Sequence, residues 1–240
     1  MKKVILTAIL LILTIWLQAK VTLVIAYSKN EIGINNTIPM IKLKFSEIYN
    51  NIDIFTADNL SDIKRAINTA DDTLIFMFEG HSNAVELKYR YYVGNLLMFL
   101  DDFKTNKSPN INNNSNGVLT TKTLHHLLQY AAATKILVII DSCYPSLAFN
   151  ATLYNVAWVF SADDKQVSLL LNRYNLFTYL FLKELKKGIT IEYMINKIND
   201  KYKNKQWYPQ FNTNVKLTKD YKGYSVNYPL TSISINNFKF

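Results

Sequence analysis

The sequence predicts a single α/β domain, a three-layer sandwich whose mostly parallel central sheet is flanked by helices. Two observations carry this. Apolar runs without polar alternation recur at Asp72–Phe78, Ile136–Ile140 and Val156–Ser161, the pattern of strands covered on both faces. Segments of helical periodicity lie between such runs, and strands alternating with helices specify a parallel sheet. At 240 residues and 49% hydrophobic, the chain is long enough to bury one good-sized core.

The first nineteen residues stand apart. Lys2-Lys3 is basic, Val4–Trp16 is apolar, and Leu17-Gln18-Ala19 ends on a small residue. That is the layout of a secretory signal peptide, and the apolar run is short for a membrane span of about 20 residues. The expectation is a signal peptide over residues 1–19 and a folded domain over residues 20–240, secreted, periplasmic or at the cell surface. An uncleaved anchor, tethering the chain to a membrane, is the alternative.

Lys20–Tyr27, rich in β-branched residues, reads as the first strand. A polar loop through Asn30, Gly33 and Asn35-Asn36 leads to a helix over Pro39–Asn50. Asn51–Thr56 is a short strand, and Ser61 is the expected N-cap of a helix over Asp62–Thr69. The Asp72–Phe78 strand ends at Glu79-Gly80-His81-Ser82. Tyr89–Leu100 reads as a strand or hairpin, and the low-complexity stretch Lys104–Gly117 as a loop. Thr120-Thr121-Lys122 opens a helix whose apolar positions are Leu124, Leu127 and Leu128. The central strand then runs through Ile136–Ile140 into Asp141-Ser142-Cys143. Val156–Ser161 is the next strand, followed by Ala162-Asp163-Asp164. Asn175–Lys187 is a helix capped at Gly188, Thr190–Lys203 a second helix, and Tyr224–Leu230 a last strand.

Composition narrows the function. The net charge of +9 becomes +7 once the two lysines of residues 1–19 are removed. That charge is dispersed. Lys186-Lys187 and Lys201–Lys205 are its clusters, and both read as solvated helix surface rather than a nucleic-acid groove. Six glycines and no G-x-G-x-x-G or Walker loop speak against a nucleotide cradle. One cysteine, with no His/Asp/Glu set at ligand spacing, offers no metal site, and no cofactor is expected.

Cys143 and His81 each follow an apolar strand directly, so both are expected at the sheet's carboxyl edge, where open α/β sheets carry their ligands. If the two strands are neighbours, a thiolate nucleophile and an imidazole that protonates the leaving group face one another. Spacing alone also allows a small buried thiol and a loop histidine, and on its own favours them. His125-His126, inside a helix, fit a structural or solvated role.

The order Gly80-His81 and then Asp141-Ser142-Cys143, each after an apolar strand, resembles the caspase/metacaspase/legumain group of cysteine peptidases. The resemblance is collinear over nearly all of residues 20–230. Lys20–Tyr27 is similar to that group's first strand, and Ile54–Asn68 to its second strand and the helix after it. Gly117–Leu128 is similar to the helix before the cysteine strand, and Val156–Val167 to the strand and loop that shape the primary specificity pocket. Asn175–Leu185 resembles the group's "GLFTxxLLKxL" helix, and Trp207–Gln210 its late Pro-Gln loop.

The resemblance implies a cysteine endopeptidase acting on a peptide or protein substrate. Cys143 would be the nucleophile and His81 its acid/base partner, with the backbone N–H groups of Cys143 and Ser82 as oxyanion hole. It implies substrate-binding roles for Asp141, Ser161 and Asp163. A carboxylate at Asp141, on the same strand face as Cys143, would favour a basic residue before the cleaved bond. The chain departs from the group at Ser82, where glycine usually follows the histidine, and at Tyr144-Pro145-Ser146 after the cysteine. Three other readings stay open: an inactive caspase-like binding domain, a transamidase-type relative, and an unrelated α/β binding domain with a buried thiol.

Overall fold

The computed structural model describes residues 19–29, 31, 33–84, 96–100, 117–148, 153, 155–161, 170–171, 174–202, 238 and 240. The signal-peptide segment up to residue 18, most of the Lys104–Gly117 loop, Asp163, the Trp207–Gln210 loop and the Tyr224–Leu230 strand lie outside the described residues.

The core of the molecule is a five-stranded sheet of β1 (Val21–Tyr27), β2 (Ile52–Ala57), β3 (Thr73–Glu79), β7 (Lys135–Asp141) and β8 (Val156–Phe160). Its order is β2-β1-β3-β7-β8, and every pairing is parallel. Alternation along the strands feeds two apolar layers. Leu23, Ile25, Ile75, Met77, Leu137 and Ile139 face α1 (Ile34–Ile48), α4 (Leu176–Glu184) and α5 (Ile191–Tyr202). Val24, Phe76, Phe78, Val138 and Ile140 face α2 (Leu60–Asn68) and α3 (Thr121–Gln129). The architecture is the α/β three-layer sandwich that the sequence predicts.

A small antiparallel sheet of β4 (Ser82–Ala84), β5 (Leu96–Phe99) and β6 (Val118–Thr120) continues from the end of β3 on the α2/α3 side. It is joined to the main sheet by Lys29 N–H, which donates to the Leu100 carbonyl (2.8 Å). A short hairpin of β9 (Leu170–Leu171) and β10 (Tyr174–Asn175) leads into α4.

Three boundaries differ from the sequence reading, each for a local reason. Helix α1 begins at Ile34 rather than Pro39, with Gly33 as its N-cap, and Pro39 sits within it. The carbonyl that Pro39 leaves without its helical donor is that of Asn35, an exposed residue reached by water. Helix α2 is capped by Asn59, not Ser61: the Asn59 side chain accepts from Asp62 N–H (2.9 Å). Helix α4 ends at Glu184, before Gly188. The positive φ of Gly188 (81°) serves instead a later turn, where its N–H donates to the Phe240 carbonyl.

Candidate active site

β3 and β7 are adjacent, with Glu79 opposite Asp141 in the register. Gly80 N–H donates to the Asp141 carbonyl (3.1 Å), so pairing continues one residue past the strand ends. The main chain thus delivers His81 and Cys143 to one edge. The Ser82 hydroxyl donates to the Cys143 carbonyl, a direct bond between the two loops. His81 is exposed, Cys143 partly exposed and Ser82 buried.

Gly80 is dictated by close approach. Its φ is 149°, and a Cβ built there would lie 2.1 Å from Ser28 Oγ. Into that gap the buried Ser28 hydroxyl fits, accepting from His81 N–H (2.8 Å) and donating to the Phe99 carbonyl (2.5 Å). Phe99 N–H in turn donates to the His81 carbonyl (2.9 Å). Both main-chain polar groups of His81 are therefore held, and the residue as a whole is exposed.

Peptide geometry orients two further donors. Ser142 N–H donates to Ser161 Oγ (3.2 Å), and that hydroxyl donates to the Ser142 carbonyl (3.3 Å), so Ser142 faces β8. Amide groups alternate sides along an extended chain, and N–H and C=O oppose one another across a trans peptide. Cys143 N–H therefore faces the His81–Ser82 side, as the Cys143 carbonyl does. Ser82 pairs with Met98, and the neighbouring His81 carbonyl takes the bond from Phe99. Ser82 thus occupies a non-hydrogen-bonded position of the β4–β5 ladder, with its N–H turned away from β5.

Beneath these tips lies an acidic layer. Glu79 and Asp141 are wholly buried on the face covered by α4. Thr178 N–H donates to Asp141 Oδ2 (3.0 Å), the Thr178 hydroxyl bonds both Asp141 Oδ2 (2.9 Å) and Glu79 Oε1, and Asn175 Nδ2 donates to Glu79 Oε2 (2.6 Å). The N-cap Asn175 makes no side-chain bond to its own helix. Asp141 takes over that task from the sheet, where the helix dipole favours a carboxylate. Burial, reinforced by the charge of Asp141, raises the Glu79 pKa well above the ordinary range, against the lowering effect of Thr178 and Asn175. Thr178 has one hydroxyl proton between two carboxyl groups, so the pair shares a single donor there.

Glu31 belongs to the same layer, nearer the surface. Its Oε2 lies 2.9 Å from the position of a Cβ on Gly80 and has no hydrogen-bond partner among the described residues. Burial, then the charge of Asp141, raises its pKa to about 7. Among the described residues, no three His, Cys, Asp or Glu side chains are grouped to hold a metal ion.

After Cys143 the chain turns sharply. Tyr144 has φ 53°, in the left-handed region that a bulky residue enters only under constraint, and it precedes Pro145, which opens a 3₁₀ turn over Pro145–Ala148. His125 Nε2 bonds the Ala148 carbonyl (2.7 Å), and its ring meets Trp158 edge-on at 5.9 Å. Burial lowers the His125 pKa, opposed by the Ala148 bond. His125 thus braces the turn after the cysteine.

Of the residues singled out from the sequence, His81, Ser82 and Cys143 come together. Asp141 is buried against α4, and Ser161 is buried with its hydroxyl on the Ser142 main chain, so neither presents surface to a ligand in this structure. Sequence reasoning missed Ser28, Glu31, Glu79, Asn175 and Thr178. Glu79 carried a signal, a carboxylate closing an apolar strand just before Gly80-His81; the others come from distant parts of the chain. No family model and no curated protein matches the sequence.

Proposed function

We propose that the chain is a cysteine endopeptidase of the caspase-like group, working through a Cys143–His81 dyad. The observation that carries the reading is the Ser82 hydroxyl bonded to the Cys143 carbonyl, with Glu79 and Asp141 in register below. Cys143 thiolate would attack the scissile carbonyl, and His81 would protonate the departing amine. Water would then release the acyl group from the thioester. The backbone N–H groups of Cys143 and Ser82 would receive the oxyanion, at a few kcal/mol per donor. A basic residue before the cleaved bond is the preference that the resemblance implies. Residues 1–19 support entry into the secretory pathway.

A second reading, an inactive binding domain of the same group, draws on Tyr144 in its strained conformation and on Ser82 in the usual place of glycine. An acyloxymethylketone probe carrying Arg or Lys separates the two. Covalent labelling of the wild type but not of Cys143→Ala is the expected result. Absence of labelling with every residue tried before the warhead would leave the binding reading.

A further inference from the structure

We infer that the Ser82 hydroxyl is a positioning residue for Cys143, a latch that sets how the thiol meets the imidazole; this rests on the dyad reading above. The Cys143 carbonyl accepts from Ser82 Oγ, and more loosely from Ser142 Oγ at 3.4 Å. Ser82 itself is buried and fixed in register with Met98, while His81 next to it is held by Ser28 and Phe99. This side-chain bond therefore couples the histidine segment to the nucleophile loop. What it grips is the Cys143–Tyr144 peptide, the unit directly before the positive φ of Tyr144. Peptide planarity means that holding this carbonyl also holds Tyr144 N–H, and so restrains the ψ of Cys143 and the φ of Tyr144 on either side of that plane. Without the hydroxyl, Tyr144 is released toward ordinary backbone angles, and the Cys143 side chain turns with it.

The consequence is specific to this chain. Glycine after the histidine, the residue expected in the group it resembles, would remove the latch here rather than restore a better site. A backbone oxyanion donor survives that substitution; the grip on the nucleophile loop does not.

The test is the rate at which iodoacetamide alkylates Cys143 in the full chain across pH 5–9, thiolate displacing iodide, for wild type, Ser82→Ala, Ser82→Gly, Ser82→Thr and His81→Ala. Loss of the hydroxyl is expected to slow alkylation at pH 6–7 by up to about 10²-fold, the order that a misplacement of about 1 Å costs, and to move the rate profile toward that of an ordinary thiol. Ser82→Thr, which keeps the hydroxyl, recovers most of the difference. If Ser82→Ala and Ser82→Gly match wild type within twofold at every pH, whatever their melting temperatures, the latch is overturned. A shift in His81→Ala with none in the Ser82 variants removes the latch and keeps the dyad. A His81→Ala profile identical to wild type removes the dyad, and the latch with it.

Discussion

Ser28 shows how much a single hydroxyl can organise. It is one proton donor and one acceptor, and the structure uses both, on Phe99 and on His81. Ser28→Ala should cost about 1–3 kcal/mol, the penalty for leaving buried partners unmade. In a chain of this size that lowers the melting temperature by about 2–4 °C per kcal/mol. Gly80→Ala should cost more, because its Cβ would fall 2.1 Å from Ser28 Oγ and 2.6 Å from Ser28 Cβ, on a backbone at φ 149°. The two sites touch, so a double-mutant cycle of Gly80→Ala with Ser28→Gly should be strongly non-additive. Additivity within about 0.5 kcal/mol in urea unfolding would refute the contact.

Ser28 was not legible as part of the site, and the physical reason for Gly80 was not either. Gly80 could be read as a family position beside His81, but the reason for glycine is a serine 52 residues earlier in the chain, and no local pattern reports such a contact. The Asn59 cap was missed for a smaller reason. Asn59 and Ser61 are both good caps, and the choice turns on where the first helical turn closes.

At the scale of elements, α4 is docked by its amino end. Its dipole, Asn175 and Thr178 all meet the carboxyl tips of β3 and β7. The sequence made the helix and both strands plain through their periodicity, but not that carboxylates close the strands against the helix end. This arrangement has a pH signature. Glu79, its pKa raised by burial, holds a proton in the fold that the unfolded chain releases as pH passes its ordinary value of 4.5. The sign follows: its contribution to stability is full below pH 4.5 and is lost as pH rises toward the folded-state value.

Glu31 acts the same way between 4.5 and about 7. His125, lowered by burial, acts oppositely as pH falls below 6.5. The difference between wild type and Glu79→Gln isolates the first group. The variant, which cannot ionise, should gain on wild type in urea unfolding as pH is raised from 5 to 8. A constant difference across that range would mean that Glu79 ionises as readily folded as unfolded.

At the scale of the whole molecule, the covered sheet and its two apolar layers follow from hydrophobic runs, and these were readable because strands buried on both faces need no polar alternation. The layer under α1, α4 and α5 is completed from far along the chain. Phe240 lies edge-on to Phe45 (6.2 Å) and Phe181 (5.9 Å), and its N–H donates to the Ile189 carbonyl (3.1 Å). Phe238 accepts from Ile191 N–H (3.3 Å) and packs on Phe240 at 5.5 Å. Phe240→Ala should therefore destabilise by about 3–5 kcal/mol, the range for a buried aromatic. A loss under 1 kcal/mol in chemical denaturation would show that this residue does not seal the layer.

The register of β3 against β7 also has a temporal meaning. His81 and Cys143 are 62 positions apart, and nothing short-range brings them together; they meet when two parallel strands pair across the intervening helix and small sheet. Such non-local pairing is late and slow relative to helix formation. In a chain still folding, the thiol and the imidazole are therefore unremarkable, and the dyad proposed above would exist only with cooperative completion of the sheet.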